Sequence, residues 1–479
     1  MISNYSVQAT RKVSEPAAIP DVFAVTRWWF LAAVAILVLA RLLLMALGPL
    51  ADTTEARYGE LARQTVAAGY WLMPHMDAQT PFFAKPPLST WSSAVGMVLF
   101  GVNEFGARLP ALLFSALSAW LCSAFAALYG VHRRWLVVAV LAATPVFFVS
   151  AGAVMTDAVQ MLLVCAAQYF AWQVIVAEKR SAVRWQRWGF WACIGLGAIA
   201  KGLATWALIG MPLLVYALLP GRRLALLLRL WDWAGVALAA ALFLPWYIAA
   251  ERSYPGFINY FIVGEHFSRF LVPGWTGDRY GTAHRQPFGA IWVFWIAGVL
   301  PWIWLFAARV TRLLRTREAA PIEAYLWCAT LVPLVFFTFS RNIIGTYTLT
   351  AVPPFAILVA GWLNQMSPRG LRKAGVMLAG FAMIALLAVP LLLKQQDGHS
   401  DRGLLRAYAA HAAPGTPLIY LTPPAFSSAF YGHDVVHYQD KGGLPTAPAF
   451  VVVDSADIAR VRGNIIYRGP QRTLIEVAP

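Results

Sequence analysis

The sequence predicts a polytopic α-helical membrane protein carrying a small α/β domain at its C-terminal end. Three observations carry that reading. Of 479 residues, 59% are hydrophobic and only 13% are charged, about half the charged share of an ordinary soluble domain. The apolar residues fall in repeated blocks, each about long enough to cross ~30 Å of hydrocarbon. From about Gln395 the blocks stop, and short β-type runs separated by Pro and Gly take their place.

The blocks, in order, are Trp28–Leu50, Ala107–Tyr129, Trp135–Ser150, Ala158–Val176, Trp188–Ala200, Leu203–Leu219, Trp233–Ala250, Phe288–Ala308, Ala324–Phe339, Tyr347–Leu363 and Ala374–Leu393. Leu88–Gly101 is shorter, either a juxtamembrane helix or part of a further hairpin, so about 11–13 spans are expected. The first 27 residues are polar and lack the apolar core of a cleaved signal; Trp28–Leu50 is expected to remain as an uncleaved anchor.

Basic residues alternate between connections. Arg133 and Arg134, then Lys179, Arg180, Arg184 and Arg187, then Arg222, Arg223 and Arg229, then Arg309, Arg312, Arg315 and Arg317, and finally Arg369, Arg372 and Lys373 fall on one side, with Arg11, Lys12 and Arg27. The positive-inside rule makes that side, and the N-terminus, cytoplasmic. The same rule explains the net charge of +16; with no basic stripe or aromatic recognition motif, nucleic acid is excluded as a partner. The other face carries the Asp52–Lys85 loop, the Ser150–Asp157 turn, the Glu251–Pro287 loop, the Ser340–Thr346 turn and the C-terminal tail. In a bacterium it is the periplasmic face of the inner membrane. The expected division is a transmembrane domain over 1–394, with outer loops 51–87 and 251–287, and an α/β domain over 395–479.

In that domain, a helical piece Leu404–Ala412 precedes the runs Pro417-Leu-Ile-Tyr-Leu, Ala449-Phe-Val-Val-Val-Asp, Asn464-Ile-Ile-Tyr and Thr473-Leu-Ile-Glu-Val. It has neither a P-loop nor a G-x-G-x-x-G fingerprint, and no 20–50-residue repeat runs through the chain. Cys122, Cys165, Cys193 and Cys328 lie inside apolar blocks without metal-ligand spacing and are expected as small buried hydrophobes.

Chemistry begins at the exit of the first block, in Ala51-Asp-Thr-Thr-Glu-Ala-Arg-Tyr-Gly-Glu-Leu-Ala-Arg63 and Pro81-Phe-Phe-Ala-Lys-Pro-Pro87. Ionisable groups at a membrane surface are solvated, paired or used. Asp52 and Glu55 are candidate catalytic carboxylates; Glu60 and Arg63 fit a solvated helix face. Asp157, at the start of a span on the same outer face, is either a helix N-cap or a second acid; two acids on one face suit a transferase. Lys201 interrupts the apolar run Ala198-Ile-Ala-Lys-Gly-Leu, either snorkelling or meeting a lipid phosphate. Lys85 sits in a rigid Lys-Pro-Pro turn. His266, Arg269 and His284 stand in the Gly264-Glu-His-Phe-Ser-Arg-Phe270 and His284-Arg-Gln-Pro-Phe288 stretches, as phosphate or substrate contacts or as ordinary loop residues. Neither histidine has a partner at zinc-motif spacing.

Read together, Glu55-Ala-Arg-Tyr-Gly-Glu-Leu-Ala-Arg63, Gly69-Tyr-Trp-Leu-Met-Pro74, Phe83-Ala-Lys-Pro-Pro-Leu88, Phe100-Gly-Val-Asn-Glu-Phe-Gly-Ala-Arg-Leu-Pro110, Met155-Thr-Asp157, Ala200-Lys-Gly202 and the two histidine stretches resemble the aminoarabinose-transferase (ArnT-like) and protein O-mannosyltransferase-related glycosyltransferases. The resemblance spans most of the membrane region in order and implies a GT-C fold. It also implies an integral membrane glycosyltransferase that moves a sugar, with inversion, from a polyprenyl-phosphate donor to a lipid, glycan or protein acceptor, lipid A among them. On this resemblance Glu55 and Asp157 flank the acceptor, with Asp52 as the alternative acid. Arg57, Tyr58, Lys85, Lys201, His266, Arg269, His284 and Tyr347 surround the donor and its phosphate.

Two departures stand out. The family commonly has Asp-Glu before Arg-Tyr, where this chain has Thr54-Glu55. In Ser340-Arg-Asn-Ile-Ile-Gly-Thr-Tyr347, Ile343 and Gly345 replace a frequent Lys and Pro. No cofactor or metal is expected to be required; a divalent cation held by an acid pair is the alternative. A lipid-linked sugar flippase is the competing function. Transporters place ionisable groups near the midplane of related halves, and neither feature is visible here.

Overall fold

The computed structural model describes residues 20–282, 284–316, 319–439 and 448–477. The basic residues Arg11, Lys12 and Arg317 lie outside the described residues. Seven described helices are long and apolar enough to cross a membrane: Arg27–Leu47, Glu104–Leu128, Asp157–Val176, Trp233–Ser253, Pro321–Thr338, Gly345–Asn364 and Pro368–Leu387. A pair bent by 119°, Ala290–Gly298 and Ile303–Thr316, makes up to eight, and Leu88–Phe100 and Leu203–Leu218 are shorter apolar helices. The chain is a multi-pass helical membrane protein.

The other expected spans fall on interrupted or more charged helices. Trp135–Ser150 is divided into Trp135–Ala142 and Pro145–Ser150, because Pro145 has no N–H to continue the ladder and opens a turn of its own. Pro301 marks the sharp bend after Gly298. Arg184–Lys201 is one helix carrying cations at both ends. From Val352 to Leu363 every residue is buried, as expected of a helix apolar on all sides.

The C-terminal elements are a helix at Arg402–His411 and a five-stranded sheet. Its strands are β1 Leu418–Tyr420, β2 Val436–Tyr438, β3 Ala449–Asp454, β4 Asn464–Arg468 and β5 Arg472–Val477, in the order β2-β1-β3-β5-β4. β1 runs parallel to β2 and β3, while β5 is antiparallel to β3 and β4. A short helix, Phe426–Gly432, joins β1 to β2 and docks on the outer loop. Ser427 donates through its backbone N–H to Asp52 at 3.0 Å and through its hydroxyl to the same carboxylate. The Tyr431 hydroxyl accepts from the Leu50 N–H at 2.8 Å, and Arg402 pairs with Glu104 at 3.1 Å. Phe430 joins the apolar cluster around Leu50, Tyr58 and Phe82. The sheet domain thus lies against the outer loop 51–87.

Candidate active site

The outer loop opens with the helix Thr54–Ala68, ended by Gly69 in the left-handed conformation (φ 77°) that this residue adopts readily at a helix C-terminus. Its polar residues are not a solvated face. Glu60 is 2% exposed and is held by Arg63 through two bonds of 2.7 Å. The buried ion pair corrects the expectation of a solvated pair; the helix is covered on that side too.

Two of the three candidate carboxylates are committed to structure. Glu55 accepts from Arg108 Nε at 2.9 Å and Nη2 at 2.7 Å. Arg108, 1% exposed, also bonds the Met45, Gly48 and Pro49 carbonyls, so it ties the end of the first helix to the outer loop. Glu55 reaches the Val154 N–H at 3.3 Å and lines neither of the cavities described below. Burial alone would push its carboxyl up; Arg108 outweighs burial and holds it below the usual range. A carboxylate so held is a poor base near neutral pH. Asp52 is bound by Ser427 at the seam with the sheet domain, away from both cavities, and burial raises its carboxyl above the usual range. Both acids thus join parts of the fold in this structure, and of the three candidate carboxylates only Asp157 lines a cavity described below. The sequence could not reveal this, because Arg108 and Ser427 lie 53 and 375 residues away.

Asp157 has a different surrounding. It is the first residue of its helix, behind Thr156, and caps nothing. Its carboxylate accepts from Lys201 Nζ at 2.9 Å. Lys201 ends one helix and Gly202, at φ 65°, turns the chain into the next. A Cβ at Gly202 would lie 2.6 Å from Phe261 and 2.9 Å from His266, so only glycine fits this break. The break brings Lys201 to 4.9 Å from the centre of the Tyr347 ring, within cation–π range. His266 braces the break, with ring nitrogens 2.8 Å from the Phe261 carbonyl and 3.2 Å from the Lys201 carbonyl.

Lys85 donates to Glu265 at 2.6 Å. Glu265 and His266 lie on a π-helical stretch, Asn259–Ser268, a rare geometry that recurs at functional sites. Residues five apart meet there: the Tyr260 hydroxyl is 3.5 Å from Glu265. Arg269 completes the cluster, 3.2 Å from Glu265 and 3.0 Å from Asp278. Burial lowers the Lys85 ammonium, opposed by Glu265. Burial also opposes ionisation of Glu265, but Lys85 and Arg269 outweigh it and hold the carboxyl low.

Two cavities meet at this cluster. An apolar groove of about 520 Å³ is lined by Leu203, Ala207, Phe267, Phe270, Leu271 and Phe337 among others. A narrower polar chamber of about 60 Å³ is lined by Thr54, Arg57, Tyr58, Asp157, Asp278, Tyr280 and His284 among others. Lys85, Lys201, Arg269 and Tyr347 line both. Of the sequence candidates, Arg57, Tyr58, Asp157 and His284 face the chamber, His266 faces the groove, and those four stand at the neck. Thr54, at the position of the family's usual first Asp, also faces the chamber.

Arg57 is anchored by the Tyr280 carbonyl at 2.6 Å and lies over the Phe426 ring at 5.7 Å. The Nε atoms of Arg57 and Arg269 are buried without a protein partner among the described residues. Burial, then Arg269 and Arg57, lower the His284 imidazole below its ordinary value. Glu265, Asp278, Tyr280 and Arg108 were not singled out from sequence. Only the i,i+4 spacing of Glu265 and Arg269 offered a signal. Among the described residues no group of three or more His, Cys, Asp or Glu is arranged to hold a metal ion.

Residues 84–248 match the family described as dolichyl-phosphate-mannose-protein mannosyltransferase. The undecaprenyl phosphate-α-4-amino-4-deoxy-L-arabinose arabinosyl transferase 1 of Pseudomonas fluorescens is 31% identical over 78% of this chain and 65% of its own length. The corresponding transferase of Erwinia tasmaniensis is 32% identical over 71% and 60%. The chain thus spans less than two-thirds of the length of these relatives. A crystal structure of ArnT from Cupriavidus metallidurans bound to undecaprenyl phosphate superposes with a TM-score of 0.77 at 21% identity, covering 94% of this chain and 98% of that one. The chain therefore has the GT-C fold of that ArnT structure and is similar in sequence to these arabinosyl transferases and, over residues 84–248, to the protein mannosyltransferases.

Proposed function

We propose that the protein is an inner-membrane glycosyltransferase that moves a sugar from a polyprenyl-phosphate donor to an anionic lipid on the periplasmic face. The observation that carries this reading is the neck, where an apolar groove and a polar chamber share Lys85, Lys201, Arg269 and Tyr347. An amphiphile with an isoprenoid tail, a phosphate and a sugar has that order of polarity. The tail lies in the groove, the phosphate at the cations, and the sugar in the chamber beside Arg57, Asp157 and His284.

The acceptor oxygen attacks the anomeric carbon, the bond from that carbon to the phosphate oxygen breaks, and polyprenyl phosphate leaves with the electron pair. Charge grows on the leaving phosphate, where pre-positioned cations stabilise the transition state more than the ground state. Asp157 holds Lys201 in place for this. The paired carboxylates favour an acceptor that needs no proton removed, and leave the His284 imidazole in the chamber as the base for a hydroxyl acceptor. Among the described residues that line the chamber, Asp157 is paired with Lys201 and Asp278 with Arg269, and neither suits proton removal. An acceptor already ionised, such as a lipid phosphate, needs no base. Arg57, with its unpartnered Nε, suits such an anion.

The similarity to undecaprenyl phosphate-aminoarabinose transferases makes undecaprenyl phosphate-linked aminoarabinose the first donor to assay, followed by other undecaprenyl-phosphate pentoses and hexoses. The test uses purified protein in nanodiscs and reads lipid phosphate released and acceptor glycosylated. Lys85→Met lowers kcat/KM by at least about 100-fold, as loss of one oxyanion-type contact does. Retained turnover in Lys85→Met, or lipid movement without bond cleavage, refutes the proposal.

A further inference from the structure

The neck that is proposed to bind a phosphate is already balanced by the protein's own anions. Lys85 is paired with Glu265, Arg269 with Glu265 and Asp278, and Lys201 with Asp157: three cations face three carboxylates. Glu265 differs from the other two. It touches two of the cations at once, at 2.6 and 3.2 Å, its side chain is 1% exposed, and it lines the groove rather than the chamber. The π-helical backbone fixes it there, with Tyr260 beside it. A phosphate reaching Lys85 and Arg269 must lie within a few ångströms of this carboxylate.

The two lipids that use such a site differ in charge. The donor is a phosphodiester with one negative charge. The released lipid phosphate is a monoester, carrying about −1.5 to −2 near pH 7. Cations alone would favour the more charged species, so the product would bind more tightly than the donor and block the site. A fixed carboxylate beside the same cations penalises each added charge, and therefore penalises the product more.

Resting on the functional reading above, we propose that Glu265 sets the selectivity of the neck for singly over doubly charged lipid phosphates, and so drives release of the product. It holds the cations by ion pairing and acts on the ligand through charge alone.

The test is equilibrium binding to the purified full-length protein in nanodiscs at pH 8. The two probes are undecaprenyl phosphate and its methyl diester. Glu265→Gln is expected to tighten the monoester at least tenfold and the diester less than threefold. Equal tightening of both, no change, or weakening of both overturns the inference, because a carboxylate that merely orients Lys85 and Arg269 would affect the probes alike. If Glu265→Gln does not yield monodisperse protein, Asp278→Asn replaces it; its carboxylate shares Arg269 at 3.0 Å. A smaller tightening confined to the monoester is then expected, and its absence counts against the inference. Lys85→Ala separates the two levels. If it leaves undecaprenyl phosphate binding undiminished, the functional reading falls and this inference with it. If it weakens binding while the carboxylate variants show no selectivity, this inference alone fails.

Discussion

Replacing Glu55 by Gln separates an acid that does chemistry from one that holds the fold. Glu55 accepts two bonds from Arg108, at 2.7 and 2.9 Å. Gln keeps one acceptor oxygen and turns the other position into a donor facing the guanidinium. One charge-assisted bond, worth about 1.5–3 kcal/mol, is lost. Arg108 loses its counter-charge but keeps the Met45, Gly48 and Pro49 carbonyls. The cost is then about 3 kcal/mol, the low end for a broken buried pair. An unfolding entropy of about 2.1 cal/mol/K per residue gives roughly 1 kcal/mol/K for this chain, so Tm falls by about 3 °C. Arg108→Leu strands a buried carboxylate and three carbonyls, costs about 5 kcal/mol or more and lowers Tm by about 5 °C. The assays are thermal unfolding by intrinsic fluorescence and single-turnover sugar transfer on the same preparations. Glu55→Gln is expected to transfer within about threefold of wild type at a temperature where it is folded. Turnover lost by 100-fold or more at an unchanged Tm would refute the structural assignment and return Glu55 to the chemistry.

Three further outcomes are expected. Burial holds the Lys85 ammonium below its ordinary value of 10.5, so raising the pH removes its charge early and the donor KM rises on an alkaline limb below that value; Lys85→Arg, always protonated, abolishes the limb in a pH series of KM. Ser427→Ala removes the hydroxyl donor of half-buried Asp52, leaving the backbone N–H of residue 427 in place, and costs about 1–2 kcal/mol. Asp52 has a raised folded-state value, so the folded state binds its proton more tightly and stability falls as pH rises from 3.8 through that value. The variant's deficit in thermal unfolding therefore grows from pH 4 to pH 7. Phe426→Ala takes away the ring under Arg57, a contact of about 0.5–1 kcal/mol, and lowers kcat/KM by roughly two- to fivefold while Tm changes little; an unchanged kcat/KM would show that the sheet domain does not help to position Arg57.

Much of this architecture was legible because composition alone dictates it. Apolar blocks of membrane length leave few alternatives, and a lysine such as Lys201 inside one has few uses. The cations at the neck stood out for that reason. Pairing was not legible. Whether a carboxylate is free or committed depends on which distant residue reaches it: Lys85 meets Glu265 across 180 positions, and Asp52 meets Ser427 across 375. Span boundaries were blurred by prolines. Pro145 and Pro301 stand in sequence as small apolar residues within longer runs, yet each ends a stretch of hydrogen-bonded backbone. The strand Val436–Tyr438 escaped notice because its three residues are too few to show an alternating pattern.

The groove has one further consequence. Phe267 and Leu271 at its edge are 54% and 68% exposed, and in the proposed transferase these apolar side chains meet the bilayer at its mouth. A substrate arriving there searches in two dimensions and need not leave the lipid phase. Its effective dose is then its mole fraction among the surrounding lipids. Diluting a fixed amount of donor with inert phospholipid slows such a protein, while changing the volume of water around the vesicles leaves it indifferent.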